Sequence, residues 1–236
     1  RCFVRRAHTV YRRATRTFRG DLGLWARWLS FCRRSKSGKE AQRALGRALA
    51  LHPTCAALWV AAASWEFERG LDAASARALM QHGLRSCGGS DLEALWVEYF
   101  RMEVLYARRL AARREILGID GSAEAESEAE GGKVVPASTP EAVQAILRGA
   151  IAKVVYNSAV QAVPGSVEFA ARFLDVLRAQ GIQDGKELQA FILEDVSRRF
   201  PDSQKTWALR AEAARLEASS AAQGALAALD VLERGL

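Results

Sequence analysis

Proline is scarce, with five copies in 236 residues, so little in this chain interrupts long helices. Four cysteines, Cys2, Cys32, Cys55 and Cys87, share no C-x-x-C spacing, which removes the usual signature of a zinc site or a disulfide framework. The three histidines, His8, His52 and His82, have no second ligand at helical spacing and read as helix-surface or helix-end residues. No apolar run approaches the roughly 18 residues needed to cross a bilayer, and no basic start followed by an apolar stretch marks a signal peptide. The chain also lacks G-x-S-x-G, a Walker loop and H-E-x-x-H. Catalytic, cofactor-binding and metal-binding residues are therefore expected to be none, and an enzyme is not expected.

Tryptophan at regular intervals is what the chain has instead. Leu24-Trp25 is followed by Trp28 and Phe31, Leu58-Trp59 by Ala62 and Trp65-Glu66, and Leu95-Trp96 by Tyr99 and Met102-Glu103. Trp25 and Trp59 lie 34 residues apart and Trp59 and Trp96 lie 37 apart, the period of stacked helix pairs. Large side chains at positions 0, 3 and 6 from each tryptophan share one helix face, which a single helix cannot bury alone. The expected fold is an all-α, right-handed solenoid of antiparallel helix pairs. Because the chain opens at Arg1 and closes inside a periodic pattern at Leu236, it reads as a fragment of a longer array.

A first helix is expected from about Cys2 to Phe18, with Phe3, Val4, Ala7, Val10, Tyr11, Ala14 and Phe18 on its inner face. Asp21 then caps a helix to about Arg34, and its partner runs from Lys39 to Leu51 with Ala41, Ala44, Leu45, Ala48 and Leu49 inward. A second pair spans Cys55 to Arg69 and, after Asp72, carries Ala76, Leu79, Met80 and Leu84. A third leading helix starts near Asp91 and extends towards Leu117. Residues 118–139, with glutamates at 124, 126, 128 and 130, have nothing to bury and are expected to be a disordered acidic insertion. Ser138-Thr139-Pro140-Glu141 signals a helix running through Val143, Ile146, Leu147, Ala150, Ile151, Val154, Val155 and Ala159. Two further pairs follow, the last using Trp207, Leu209, Leu216, Leu226, Leu229 and Leu232. The expected division is thus 1–117, basic repeats, then 118–139, insertion, then 140–236, more helix pairs of the same solenoid.

Charge is uneven. Residues 1 to 120 carry 22 Lys/Arg against 11 Asp/Glu, whereas residues 121 to 236 carry 12 against 16. The basic first half favours an acidic partner, nucleic acid or protein. Its candidate surface is the Arg5, Arg12, Arg16 and Arg19 stripe, joined by Arg33, Arg34, Lys36 and Lys39.

The leading helices match L-W-x-x-x-x-x-x-E at Leu58, Trp59 and Glu66 and at Leu95, Trp96 and Glu103, and their followers read Ala41-Gln-Arg-Ala-Leu-Gly-Arg-Ala-Leu49 and Ala76-Arg-Ala-Leu-Met-Gln-His-Gly-Leu84. These resemble the half-a-TPR (HAT) repeat. The stretches VYRRATRTFRGDLGLWARWLSFCRRSKSGK, ALALHPTCAALWVAAASWEFE, LWVEYFRMEVLYARRLAARREILG and IAKVVYNSAVQAVPGSVEFAARFLDVLR are similar to the U3 small nucleolar RNA-associated protein 6 family over about residues 4–200. Cys32 and Ala214 stand where the repeat expects Glu, and residues 166–174 have no Trp.

The resemblance implies a non-enzymatic nucleolar subunit of the small-subunit processome, assembling with WD-repeat proteins and the U3 ribonucleoprotein for pre-rRNA cleavage and 18S rRNA maturation. It makes Trp25, Trp28, Trp59, Trp65, Glu66, Trp96, Tyr99, Glu103 and Trp207 repeat-core residues. It implies no cofactor, small-molecule substrate or membrane. The alternative is a direct RNA-binding HAT protein, organellar or mRNA-processing, using the basic amino-terminal face, with pre-rRNA or U3 RNA among its contacts.

Overall fold

The computed structural model describes residues 2–69, 72–117, 146, 149–164, 166–180, 186–217 and 221–233. Among these are eleven helices and no strand: α1 (Cys2–Thr17), α2 (Leu22–Arg34), α3 (Gly38–Leu51), α4 (Ala56–Arg69), α5 (Ala73–Ser86), α6 (Ser90–Leu117), α7 (Ala150–Ala162), α8 (Val167–Ala179), α9 (Lys186–Arg199), α10 (Gln204–Glu217) and α11 (Ala221–Glu233). The chain forms two compact units, Arg1–Tyr99 and Phe100–Leu236. The expected acidic insertion and the expected helix start at residues 138–141 lie outside the described residues. No described helix is long and apolar enough to cross a membrane.

In the first unit, neighbouring helices pack in succession, the arrangement of a solenoid of repeats. Asp21 accepts a hydrogen bond from Leu24 N and Asp72 from Ser75 N, so both leading acids cap the helices they precede. Trp25, Trp28, Cys32, Ala41, Ala44, Leu45, Ala48, Leu58, Ala62 and Trp65 form one buried cluster. A fully buried Trp removes about 200 Å² from water, about 5 kcal/mol before entropy costs. Trp28 is 0% exposed and stacks at 5.9 Å on Trp25, so the first pair is pinned at its centre.

The face that α1 buries is not the expected one. Phe3 is 84% exposed, and Val10 and Phe18 also face solvent, while His8 and Thr15 are buried and Tyr11 is half-buried. The cause is polar. The Trp28 indole donates from Nε1 to His8 Nδ1 at 3.1 Å, and Tyr11 stacks on the same indole at 6.1 Å. A buried indole N–H needs an acceptor, so α1 turns to offer one, and apolar residues swing outward. His8 is thus a core residue rather than a surface one.

The other two histidines also hold the repeats. His52 Nε2 meets Arg19 O at 2.8 Å, and the His82 ring stacks on Trp59 at 6.4 Å.

A recurring bond identifies equivalent repeats. Trp25 Nε1 donates to Arg19 O at 3.2 Å, Trp59 Nε1 to Pro53 O at 2.8 Å, and Trp207 Nε1 to Pro201 O at 3.0 Å. Each acceptor lies six residues before its tryptophan, in the loop entering the helix. In the first unit the same carbonyl takes a second contact from the residue capping the following helix: His52 after α3, and Cys87 Sγ after α5 at 3.9 Å from Pro53 O. Trp96 departs from this rule. Ser90, six residues before it, already belongs to α6, and Trp96 Nε1 is buried without a partner. Trp59, Trp96 and Trp207 are half-buried rather than fully enclosed.

The second unit is centred on aromatic rings meeting edge to face. Phe173 contacts Phe100 and Phe169 at 5.0 Å and Tyr156 at 5.3 Å. Ser166 caps α8 through Phe169 N, and Arg178 binds Glu212 at 2.9 Å, tying α8 to α10. Lys205 also pairs with Glu168 between those helices.

Two expectations fail in this unit. The helix expected to run from residue 140 through Ala159 does not pass through Gly149, whose φ of +78° is left-handed; α7 begins at Ala150, and Val154 is 63% exposed. Leu216, Leu226, Leu229 and Leu232 were expected inside and are exposed. Here α10 and α11 approach closely at Gly224, where an added Cβ would lie 2.8 Å from Arg215 O, so the glycine side faces in and the leucines face out.

Two substitution pairs test this packing. A Cβ on Gly83 would lie 2.8 Å from both Trp59 Cγ and Leu95 Cδ2, whereas one on Gly46 meets nothing within 4 Å. Gly46→Ala is expected to stabilise by up to about 1 kcal/mol, while Gly83→Ala loses about 1–2 kcal/mol despite the same propensity gain. Urea titrations of both variants read the difference. Trp28→Phe strands His8 Nδ1 and is expected to cost about 1–3 kcal/mol, whereas Trp96→Phe removes an unpaired N–H and stays within about 1 kcal/mol of the parent. Equal losses in the two would contradict the bond assignments.

Candidate partner interface

Residues 1–51 carry 14 Lys/Arg against only Asp21 and Glu40 as acids. Asp21 is spent as the cap of α2, which leaves Glu40 as the single carboxylate among the helices α1 to α3 available for pairing with these cations. It sits in the first turn of α3, where the helix dipole favours an anion. Glu40 Oε1 receives Arg43 Nη1 at 3.0 Å and Arg12 Nη2 at 3.4 Å, so it joins α3 to α1. The Glu40 side chain is 20% exposed, which screens these pairs less than the median surface pair.

Glu40 also acts on two neighbours. The Cys32 thiol is pushed up to about 11, by burial first and by the Glu40 charge second, which keeps it protonated and inert. His8 is lowered from 6.5, by burial first, with Glu40 raising it and Arg12 lowering it. With Nδ1 accepting from Trp28, the neutral ring carries its proton on Nε2, which is buried without a partner, as is Arg12 Nε.

The eight candidate cations therefore separate. Arg12 is half-buried and paired with Glu40, and Arg33 pairs with Glu68 of α4 at 3.3 Å. Arg5, Arg16, Arg19, Arg34, Lys36 and Lys39 are exposed. Lys36 has a φ of +53°, in the left-handed region, at the tip of the α2–α3 connection. Sequence periodicity found the stripe but missed Arg6 and Arg13, which are also exposed on α1. It also missed Glu40 and His8, although Glu40, the one acid besides the capping Asp21 among fourteen cations, was a readable signal.

The repeat-core residues divide by depth. Trp25, Trp28, Trp65, Tyr99 and Glu103 are buried, and Trp59, Glu66, Trp96 and Trp207 are half-buried. Glu66 Oε1 accepts from Gln42 Nε2 at 3.2 Å, bridging α3 and α4. Among the described residues, no three His, Cys, Asp or Glu side chains gather as metal ligands, and Cys32, Cys55 and Cys87 are free thiols.

Helices paired in succession, a loop-to-indole bond that recurs and a basic exterior on the first unit define a helix-pair repeat protein. No family model matches the chain. Among curated proteins it is 30% identical to the human U3 small nucleolar RNA-associated protein 6 homolog over 86% of this chain and 31% of that protein. It is 35% identical to U3 small nucleolar RNA-associated protein 6 of Schizosaccharomyces pombe over 46% of this chain and 22% of that protein. The Dictyostelium discoideum homolog is 27% identical over 88% of this chain and 38% of that protein. The chain belongs to the U3 small nucleolar RNA-associated protein 6 family. It spans about a third of the length of the human and mouse relatives it matches.

The buried histidine gives a pH prediction. Because the folded state holds His8 below its ordinary value, the unfolded chain binds the proton first, and stability falls as pH drops through about 6.5. Protonated Nδ1 would also cease to accept from Trp28. His8→Asn keeps an acceptor that does not titrate, so its melting temperature should fall less between pH 7.5 and 5.5 than that of the parent chain. Parallel slopes in thermal melts would count against a buried neutral imidazole.

Proposed function

We propose that this chain is part of a non-enzymatic scaffold subunit of the small-subunit processome, built from HAT repeats and acting in the nucleolus. In this reading it assembles with U3 small nucleolar ribonucleoprotein components, WD-repeat proteins among them, during pre-rRNA processing and 18S rRNA maturation. The observation that carries it is the match, over most of this chain, to relatives named for association with U3 small nucleolar RNA. Helix-pair architecture supports it physically, since stacked pairs expose long side-chain faces for docking while each unit keeps its own core.

Direct RNA contact is the second reading, favoured by the exposed cations Arg5, Arg16, Arg19, Arg34, Lys36 and Lys39. Phosphate neutralisation releases counterions, so such binding weakens steeply with salt, by a log–log slope of about 0.7 per phosphate contact on a single strand. The two readings separate in a tagged pull-down with and without nuclease. Scaffold partners are expected to remain after nuclease treatment, and Arg34→Glu/Lys36→Glu/Lys39→Glu is expected to leave them bound. Loss of all partners to nuclease, together with a steep salt slope that the triple variant flattens, would favour the RNA reading.

A further inference from the structure

The outward side of α1 carries an apolar stripe. Phe3, Ala7, Val10 and Ala14 follow one another at intervals of four, three and four residues, the spacing of a helix-packing seam. Phe3 is 84% and Val10 65% exposed, and the two alanines are half-exposed. Arg6 and Arg13 border this stripe, both exposed and two turns apart, and α1 contains no acidic residue. The adjoining side of α1 is already committed, through His8, Tyr11 and Thr15, to the core of the first unit.

We propose that this face of α1 receives an acidic amphipathic helix of a protein partner. The partner's apolar seam sits on Phe3, Ala7, Val10 and Ala14, and its carboxylates meet Arg6 and Arg13. The inference rests on the assembly role proposed above and adds the chemistry of one partner.

Charge selects this occupant. Two copies of α1 laid face to face would oppose arginine to arginine, a repulsive arrangement. A nucleic-acid strand would satisfy the guanidiniums but leave Phe3 and Val10 wet, gaining nothing from the seam. An acidic helix uses both features. Ala7 and Ala14 leave shallow holes into which the partner's larger side chains fit, and Phe3 and Val10 project beside them. Glutamates flanking the partner's seam then lie within reach of Arg6 and Arg13.

The test uses the chain and two labelled synthetic helices of three heptads, each with a leucine and alanine seam, one flanked by glutamate and the other by lysine. Fluorescence anisotropy is expected to show the glutamate helix binding at least about tenfold more tightly than the lysine helix. Arg6→Glu/Arg13→Glu should reverse that preference. Val10→Asp should weaken the glutamate helix by about tenfold or more while circular dichroism and melting stay unchanged, because Val10 lies outside the core.

Equal binding of both helices, binding of neither, or indifference to Val10→Asp overturns the proposal. Sedimentation showing concentration-dependent self-association that Val10→Asp abolishes would assign the face to a second copy and also overturn it. The scaffold reading is scored separately, by nuclease-resistant recovery of partners, so it can stand when this face fails.

Discussion

A buried indole brings a large apolar area and one N–H that must be satisfied. That constraint organises the structure. Trp25, Trp59 and Trp207 each meet it with the carbonyl six residues earlier, which fixes how the entering loop folds back on its helix. Arg19 O and Pro53 O accept as well from the residue ending the next helix, so one acceptor joins the start of a pair to its close. Trp28 has no such carbonyl and takes His8 instead, which sets the rotation of α1. Where the leading helix begins too early, at Ser90, the N–H of Trp96 is left over.

Electrostatics in the first unit follow from a shortage of acids. Glu40 serves Arg12 and Arg43 and raises Cys32, while the surrounding cations are pressed to the exterior. A surface built this way carries an excess of positive charge over the first three helices. Ion-paired and solvent-exposed arginines are interleaved on the same helix, as Arg12 and Arg13 show.

Wheel positions of large side chains were legible for α2, α3 and α8, because there the apolar face read from the sequence is also the face that packs against neighbouring helices. They misled for α1 and for the α10–α11 pair. In α1 the Trp28 indole takes both a hydrogen-bond acceptor from His8 and a stacked ring from Tyr11, and this joint contact leaves Phe3, Val10 and Phe18 outside. In the last pair Gly224 permits an approach that larger side chains would block, so close backbone contact displaced leucine burial. The candidate basic stripe was legible as a charge bias, but which of its cations are ion-paired, Arg12 and Arg33, depends on where Glu40 and Glu68 arrive from other helices.

The amino-acid order by itself determined that this chain is helical and repetitive, that tryptophans mark its leading helices, that Asp21 and Asp72 each precede a helix start, and which family it belongs to. These are local or periodic properties, written within one turn or one repeat length. Tertiary structure alone decided which side of α1 is wet, that the Trp28 indole meets His8, which arginines of the first helices are paired and where apolar residues beside Arg6 and Arg13 are exposed. Each of those depends on groups more than a helix apart, whose meeting is an outcome of packing and polar satisfaction together rather than of any local pattern.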